Sequence, residues 1–300
     1  MRILLAVDGS VSSDRAVELV TTLALPPASL VRVISVQPPY VDVLALSWGS
    51  VGVSPDVMET EEQAESRFHR EAIERAETAL AKAGQSVEGF LVRGRPASII
   101  VDEAKAMQAD LVVVGSRGHS TIASMVLGST AAEVVDHSPC PVLVARQSAL
   151  GTVVFADDGS ETARAAERVL TDWPIFAGVP VTVVTVAETA VPVSSAFTPG
   201  LYDQVLASYS EAVDAARAEV RREADSEVQR LSKAGYRAEP VILEGDPAGE
   251  ICRYAAGIGI GTIVLGTHGR TGLARIVLGS IARNVLQHAP CSVMIVRAPR

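Results

Sequence analysis

Two glycine-rich segments of the sequence share one spacing. GSRG at 115–118 is followed by nine residues and then by a Gly-Ser pair at 128–129, and GTHG at 266–269 is followed by nine residues and a Gly-Ser pair at 279–280. Glycine lets a backbone approach a ligand closely because it has no Cβ. The N–H groups at the start of a helix are free and attract anions. The pattern therefore predicts two loops that hold phosphate.

Each half of the chain also carries an aspartate at the end of its first β-like run. Asp8 follows RILLAV, and Asp158 follows TVVFAD. A carboxylate repels phosphate but accepts hydrogen bonds from ribose hydroxyls or a base amino group. If the strand order reverses between the first and fourth strands, the aspartate and the glycine loop flank one crevice. One end for an anion and one end for hydrogen-bond donors is typical of a nucleotide site.

Both features also have purely structural explanations. The glycines could simply close turns, and Asp8 and Asp158 could be turn residues that precede the helix N-caps Ser10 and Ser160. The equal spacing in both halves favours the binding interpretation. The sequence has no G-x-x-x-x-G-K-[ST] motif, nucleophile elbow or paired acid and base. We therefore expect no P-loop ATPase, no assigned catalytic residue and, at most, slow hydrolysis of ATP.

The glycine segments belong to a repeat with a period of 150 to 151 residues. Residues 110–146 align with 261–297 without a gap, and 15 of the 37 positions are identical. Short β-branched runs alternate with amphipathic stretches in each half, which is typical of a parallel sheet covered by helices. The repeat predicts two tandem, doubly wound, Rossmann-like α/β domains at 1–147 and 151–300, each with a five-stranded parallel sheet.

Composition limits the class of partner. The chain has 300 residues and a formal net charge of −9, so no overall positive field attracts nucleic acid or anionic lipid. No apolar stretch reaches the roughly 18 residues that cross a bilayer, and the first residues lack the pattern of a signal peptide. Three cysteines without ligand spacing indicate neither zinc nor a disulfide scaffold. We expect a cytoplasmic protein that binds a small molecule and an unknown protein partner.

The combined pattern resembles a known family. A G-x-x-G segment, nine residues and a Gly-Ser pair after the fourth strand, together with the V-D-x-S end of the first strand, are similar to the ATP-binding branch of the universal stress proteins. The resemblance covers almost the whole chain as two tandem domains. It implies the strand order 3-2-1-4-5, ATP in each crevice and a role in stress response or dormancy. An ATP site would also be open to Mg or Mn as a companion of the phosphates. It also implies pairing through the fifth strands, within the chain or in a homodimer.

The resemblance assigns roles to particular residues. Asp8 and Asp158 would contact adenosine, the backbone around Val36 and Val186 would lie against adenine, and the glycine loops with Ser129 and Ser280 would hold the phosphates. The full set of predicted nucleotide contacts is Asp8, Gly9, Ser10, Val36, Gly115, Arg117, Gly118, Gly128, Ser129 and Thr130 in the first half, and Asp158, Gly159, Ser160, Val186, Gly266, His268, Gly269, Arg270, Gly279 and Ser280 in the second.

The second half departs from this pattern next to its aspartate. Asp157 stands where the first half has Val7, which places two carboxylates at the adenosine end of the second site. We therefore expect both sites to bind and the second site to be the weaker. Arg117 and His119 of the first glycine loop are also exchanged for His268 and Arg270 in the second.

Three hypotheses of function follow from the sequence. The leading one is an ATP-binding regulator whose occupancy changes the loops over the site and hence a partner surface. The long segments after the second strand of each half, with Tyr40, Trp48 and Phe197, have two interpretations. They are either surface loops that cover the sheet edge or a lid or partner-binding surface. The first alternative is an enzyme of the same fold that slowly hydrolyses ATP or transfers a phosphoryl or adenylyl group. The second alternative is a nucleotide-free structural dimer module.

Overall fold

The computed structural model describes residues 1–39, 55–118, 127–187, 199–259, 261–269 and 278–297. The predicted segments with Tyr40, Trp48 and Phe197 lie outside these ranges, as do His119 and Arg270. The chain forms two compact units. Unit 1 comprises Met1–Leu150 and Ser292–Ile295, and unit 2 comprises Gly151–Cys291 and Val296–Arg300.

Unit 1 alternates strands and helices along the chain. Its elements are β1 (Arg2–Ala6), α1 (Val11–Thr21), β2 (Leu30–Gln37), α2 (Pro55–Lys82), β3 (Ser86–Arg93), α3 (Pro96–Ala106), β4 (Leu111–Gly115), α4 (Ser129–His137) and β5 (Val142–Ala145). The five strands are parallel and lie in the order β3-β2-β1-β4-β5. Strand β10 (Ser292–Val296) runs antiparallel to β5, with Val293 opposite Val144.

Unit 2 repeats the alternation. Its elements are β6 (Thr152–Ala156), α5 (Glu161–Asp172), a short 3₁₀ helix (Pro174–Phe176), β7 (Val181–Ala187), α6 (Pro199–Lys233), β8 (Ala238–Glu244), α7 (Pro247–Ile258), β9 (Gly261–Gly266) and α8 (Ser280–His288). Its strands pair in parallel in the order β8-β7-β6-β9. The predicted α/β class is confirmed.

The hydrophobic pattern explains why the central strands form. Ile3, Leu4 and Leu5 of β1 are completely buried, as expected for a strand covered by helices on both faces of its sheet. Proline at 96 and at 247 occupies the first turn of α3 and α7, where a missing N–H breaks no helical hydrogen bond. The sheet therefore fixes the carboxyl ends of β1, β4, β6 and β9, from which the predicted site residues extend.

Candidate functional site

The predicted site lies where the strand connections diverge. In unit 1 the chain passes from β1 to β2 on one side, while β4 pairs with the other side of β1. In unit 2, β7 and β9 flank β6 in the same way. The loops that follow the two central strands therefore border a crevice at the carboxyl edge of the sheet, which is the usual ligand position in open α/β sheets.

The turn after β1 is tied together by hydrogen bonds. Gly9 has a φ of +78°, a conformation that favours glycine. The Ser10 N–H donates to Asp8 Oδ1 at 3.0 Å, and the Ser13 N–H donates to Ser10 Oγ at 3.2 Å, so Ser10 caps α1. Ser10 thus has the N-cap role that the purely structural explanation of this turn expects. Asp8 is held at the mouth of the crevice by the same turn.

Serine hydroxyls join this turn to the glycine loop. Ser10 Oγ donates to the Arg117 carbonyl at 3.2 Å, and the Arg117 N–H donates to Ser12 Oγ at 3.2 Å. Ser12 Oγ also lies 3.1 Å from Ser116 Oγ. The loop after β4 is therefore fixed against the first turn of α1. Ser12 was missed in the sequence because it looks like an ordinary helix residue.

A Cβ added at any of the three glycines of the first loop would make a close contact. A Cβ added at Gly118 would lie 2.7 Å from Asp8 Oδ2, and one added at Gly115 would lie 2.8 Å from the backbone N of Ser13. A Cβ at Gly128 would lie 3.3 Å from the Arg117 Cα. The structure thus brings Asp8 and the second glycine of G-x-x-G together, which the spacing alone does not predict.

The helix that follows the loop begins with free donors. Gly128 is the N-cap of α4, its N–H donates to the Ser116 carbonyl at 2.9 Å, and none of the described side chains caps this helix. The N–H groups of the first turn, which starts at Ser129 and Thr130, point out of the helix toward its N-terminal end. With the helix dipole, they form a position suited to an anion.

Unit 2 builds the same turn. Gly159 has a φ of +72°, and the Ser160 N–H donates to Asp158 Oδ1 at 3.0 Å. Ser160 Oγ accepts from the Ala163 N–H at 3.1 Å, so it caps α5 as predicted. Ser160 Oγ also lies 3.2 Å from the His268 carbonyl oxygen, to which it donates.

The second glycine loop is held by hydrogen bonds and close contacts like those of the first. Thr162 Oγ1 donates to the His268 carbonyl and lies 3.3 Å from the His268 backbone N. A Cβ at Gly269 would lie 2.8 Å from Asp158 Oδ2, and a Cβ at Gly266 would lie 2.7 Å from the Thr162 carbonyl carbon. Gly279 is the N-cap of α8, which begins at Ser280 and has no side-chain cap. Both units therefore present the same arrangement of donors and carboxylate.

His268 is the titratable side chain of the second loop. Its Nδ1 lies 3.0 Å from Thr267 Oγ1, whereas its Nε2 is buried and has no hydrogen-bond partner among the residues that the structure describes. In the first loop this position is Arg117. The two loops therefore offer different side-chain donors beside the same backbone.

Val36 and Val186 occupy matching places on the second strand of each unit. The Val7 N–H donates to the Ile34 carbonyl at 2.9 Å, and the Asp157 N–H donates to the Val184 carbonyl at 3.0 Å. Each valine lies two residues beyond the accepting carbonyl, beside the aspartate turn. The fold thus positions both backbones at the border of their crevices.

Buried charges distinguish the second unit. Asp157 is 8% exposed, and its Oδ1 accepts from the Gly159 N–H at 2.9 Å. Burial and the charge of Asp158 raise the pKa of Asp157 above its ordinary value. Glu227 of α6 is 1% exposed and forms an ion pair with Arg230. Burial, with the charge of Asp157, raises the pKa of Glu227 to about 7.

Sequence reasoning missed Glu227, and the repeat contains the signal that could have found it. The ends of the two long helices align through AKAG at 81–84 and SKAG at 232–235. In this alignment Glu227 of α6 takes the position of Ala76 in α2. An alanine that is 1% exposed in unit 1 is thus replaced by a buried glutamate in unit 2. Comparison of the two long helices would have shown this replacement.

A separate cavity of about 590 Å³ opens at the opposite edge of the unit 2 sheet. It is lined by residues such as Thr152, Tyr236 and Tyr254, at the beginning of β6 and near the ends of α6 and α7. None of the residues that line it belongs to a glycine loop. This cavity is therefore distinct from the crevice between the aspartate turn and the glycine loop.

Comparison with known proteins decides the family. A model of the universal stress protein family matches residues 1–146 and again residues 150–297. The chain belongs to the universal stress protein family. The resemblance inferred from the glycine loops is confirmed. The family assignment covers both halves of the repeat.

Relatives and solved structures support the same assignment. A universal stress protein of Mycolicibacterium smegmatis is 27% identical over an alignment of 321 positions, gaps included. The alignment covers 98% of this chain and 96% of the relative. One from Thermus aquaticus, in the 3' region of a QAH/OAS sulfhydrylase, is 33% identical over 144 residues, which cover 48% of this chain and 97% of the relative. The crystal structure of a universal stress protein from Archaeoglobus fulgidus covers 99% of this chain and 98% of its own, with a TM-score of 0.66 and 18% identity. That likeness shows the shared fold.

Two further findings concern only the described ranges of this universal stress protein. No helix there combines the length and apolar character needed to cross a membrane. In the same ranges, no three His, Cys, Asp or Glu side chains are grouped as a metal ion would require.

Proposed function

We propose that this universal stress protein binds ATP in both crevices and acts as a nucleotide-dependent regulator in stress response or dormancy. The observation that carries the proposal is the twofold contact between glycine loop and aspartate. Gly118 packs on Asp8 and Gly269 packs on Asp158, with added-Cβ distances of 2.7 and 2.8 Å. Each crevice thus contains a carboxylate that would accept hydrogen bonds from hydroxyl groups. The same crevice contains a glycine loop whose backbone would bind phosphate.

The residues present fit ATP chemically. Asp8 and Asp158 would accept hydrogen bonds from the ribose hydroxyls, and the backbones at Val36 and Val186 would lie against adenine. The N–H groups that begin α4 and α8 would hold phosphate oxygens, with the hydroxyls of Ser129, Thr130 and Ser280. Arg117 in the first loop and Arg270 in the second would add positive charge, and His268 would offer a ring nitrogen as a hydrogen-bond partner. Mg or Mn would accompany ATP and neutralise part of the phosphate charge.

Titration calorimetry with ATP and Mg²⁺ tests the proposal. We expect two binding events per chain. The weaker event should belong to unit 2, because Asp157 adds a buried carboxylate beside Asp158. Variants D8A and D158A assign the events, and D8A should remove the tighter one. Absence of any heat of binding, with the protein folded, would contradict the proposal. Equal losses in the two variants would contradict the ranking of the sites.

A second candidate function is slow ATP hydrolysis or phosphoryl or adenylyl transfer at the second site. The specific observation in its favour is the buried, unpartnered Nε2 of His268 within the glycine loop. An imidazole at this position could exchange a proton with the reacting group. Steady multiple turnover with Mg²⁺ or Mn²⁺, lost in H268Q but kept in the Asp8→Ala variant, would favour the enzyme. A regulator without turnover shows stoichiometric binding and no product.

A further inference from the structure

Unit 2 contains a charged cluster where unit 1 is apolar. The repeat aligns Asp157 with Val7, Glu167 with Val17, Glu227 with Ala76 and Arg230 with Ala79. We call Asp157, Glu167, Glu227 and Arg230 the acid cluster. The unit 1 counterparts of its three acids are 4%, 7% and 1% exposed, so the acids occupy core positions of the fold. Three separate elements, the end of β6, α5 and α6, contribute these replacements together.

The acid cluster has more negative than positive charge. Arg230 forms ion pairs with Glu227 and with Glu167, the latter at 3.0 Å. One guanidinium thus serves three carboxylates, and Arg230 is itself about half exposed, at 47% of its side chain. Within the described part of the chain, Oε1 of Glu227 is buried and has no hydrogen-bond partner. An ionised carboxylate oxygen in that position is costly, and a proton on the cluster removes the cost.

The acid cluster is connected directly to the second nucleotide site. Asp157 Oδ1 accepts from the Gly159 N–H at 2.9 Å, and the next N–H, from Ser160, donates to Asp158 Oδ1 at 3.0 Å. A nucleotide on Asp158 would displace water from this turn and bring the negative charge of its phosphates. Both effects would disfavour the fully ionised cluster and so favour uptake of a proton by it. Proton uptake and ligand binding are therefore positively coupled, so each increases the affinity for the other.

We propose that the Asp157–Glu227 pair takes up a proton when a nucleotide binds at the second site, so that this site tightens as pH falls through neutrality. The inference rests on the proposed function, since it concerns regulation of the same site. The charged groups that face the pair are Glu167 from α5, Arg230 from α6 and Asp158 from the adjoining turn. Unit 1 has no such pair, because Val7 and Ala76 occupy its positions. The two sites of one chain would then respond differently to acidification.

The test compares two full-length proteins that retain only the second site. Both carry G118E to close the first site, and one also carries D157V, E167V, E227A and R230A, which restore the side chains of unit 1. Calorimetry with Mg-ATP in two buffers of different ionisation enthalpy measures proton uptake near neutral pH. The protein with the acid cluster should take up about 0.5 proton more, and its affinity should rise about threefold more per unit fall in pH. His268 is present in both proteins, so the comparison isolates the acid cluster.

A second variant guards against a folding defect in the multiple substitution. G118E/E227Q keeps the shape of the Glu227 side chain but replaces its ionisable carboxyl by an amide. This variant should take up fewer protons on binding Mg-ATP, as the multiple variant does. Equal proton uptake in the protein with the cluster and in both variants would overturn the inference and leave the proposed function standing. Absence of Mg-ATP binding in wild-type protein at any pH would overturn both.

Discussion

Substituting both Gly118 and Gly269 by glutamate is expected to abolish ATP binding while the protein stays folded. Neither glycine has a φ in the left-handed region, so the backbone accepts a side chain. The new Cβ atoms would lie 2.7 and 2.8 Å from Asp8 Oδ2 and Asp158 Oδ2. The added carboxylates would enter the loops and repel both phosphate and aspartate. At separations of about 4 Å this repulsion is on the order of 4 kcal/mol, so we expect each affinity to fall at least about 100-fold.

Gly257→Glu is the matched control for this loss. Gly257 lies in α7 of unit 2, is exposed, and has no heavy atom within 4 Å of an added Cβ. It adds the same charge at a distance from both loops and should leave ATP binding unchanged. Calorimetry measures the affinity, and circular dichroism confirms the fold. Unreduced ATP affinity in the Gly118→Glu/Gly269→Glu protein would show that the glycines merely close turns, as the structural-module hypothesis requires.

Ionisation of Glu227 is expected to lower the free energy of unfolding by about 3 kcal/mol as pH rises from about 4.5 to about 7. The folded pKa of Glu227 is about 7, above its ordinary value of 4.5. Between these values the folded state binds more protons than the unfolded state, so stability falls with rising pH. The penalty is absent below the lower value and complete above the upper one. Asp157, whose pKa is also raised, changes stability in the same direction.

Glu227→Gln isolates this effect because it keeps the side-chain shape and cannot ionise. Between about pH 4.5 and 7 its unfolding free energy, from urea denaturation at several pH values, should fall by about 3 kcal/mol less than that of the wild type, since Asp157 is present in both proteins. Glu219→Gln is the control, since Glu219 lies on the same helix with 61% of its side chain exposed and should keep the wild-type profile. Parallel profiles for wild type and Glu227→Gln would show that Glu227 holds no proton in the folded state near neutrality.

Local sequence patterns predicted the α/β fold because its elements depend on near neighbours. The buried runs at β1 and β4, the caps Ser10 and Ser160, and the prolines that open α3 and α7 all carry signals within a few residues. The repeat doubles each signal. An alternation of apolar runs and amphipathic helices also limits the connections to right-handed crossovers, so few topologies are compatible with the pattern.

Features that depend on distant residues could not be predicted in this way. The spacing placed Asp8 and the glycine loop at opposite ends of a ligand, whereas the structure packs Gly118 on the Asp8 carboxylate. Ser12 and Thr162, which fasten the loops, look like ordinary first-turn residues. Glu227 sits in a long, largely polar helix, where periodicity does not separate one buried glutamate from its exposed neighbours. The burial of Glu227 is seen in the structure, where α6 packs against β7 and β8, and in the sequence only when the two halves of the repeat are compared.

A crystal structure grown with excess ATP and Mg²⁺ tests the central proposal most directly. We predict nucleotide in both crevices, with ribose hydroxyls on Asp8 and Asp158 and with phosphate oxygens on the N–H groups that begin α4 and α8. Crevices closed by the protein's own side chains, or nucleotide bound elsewhere, would contradict it.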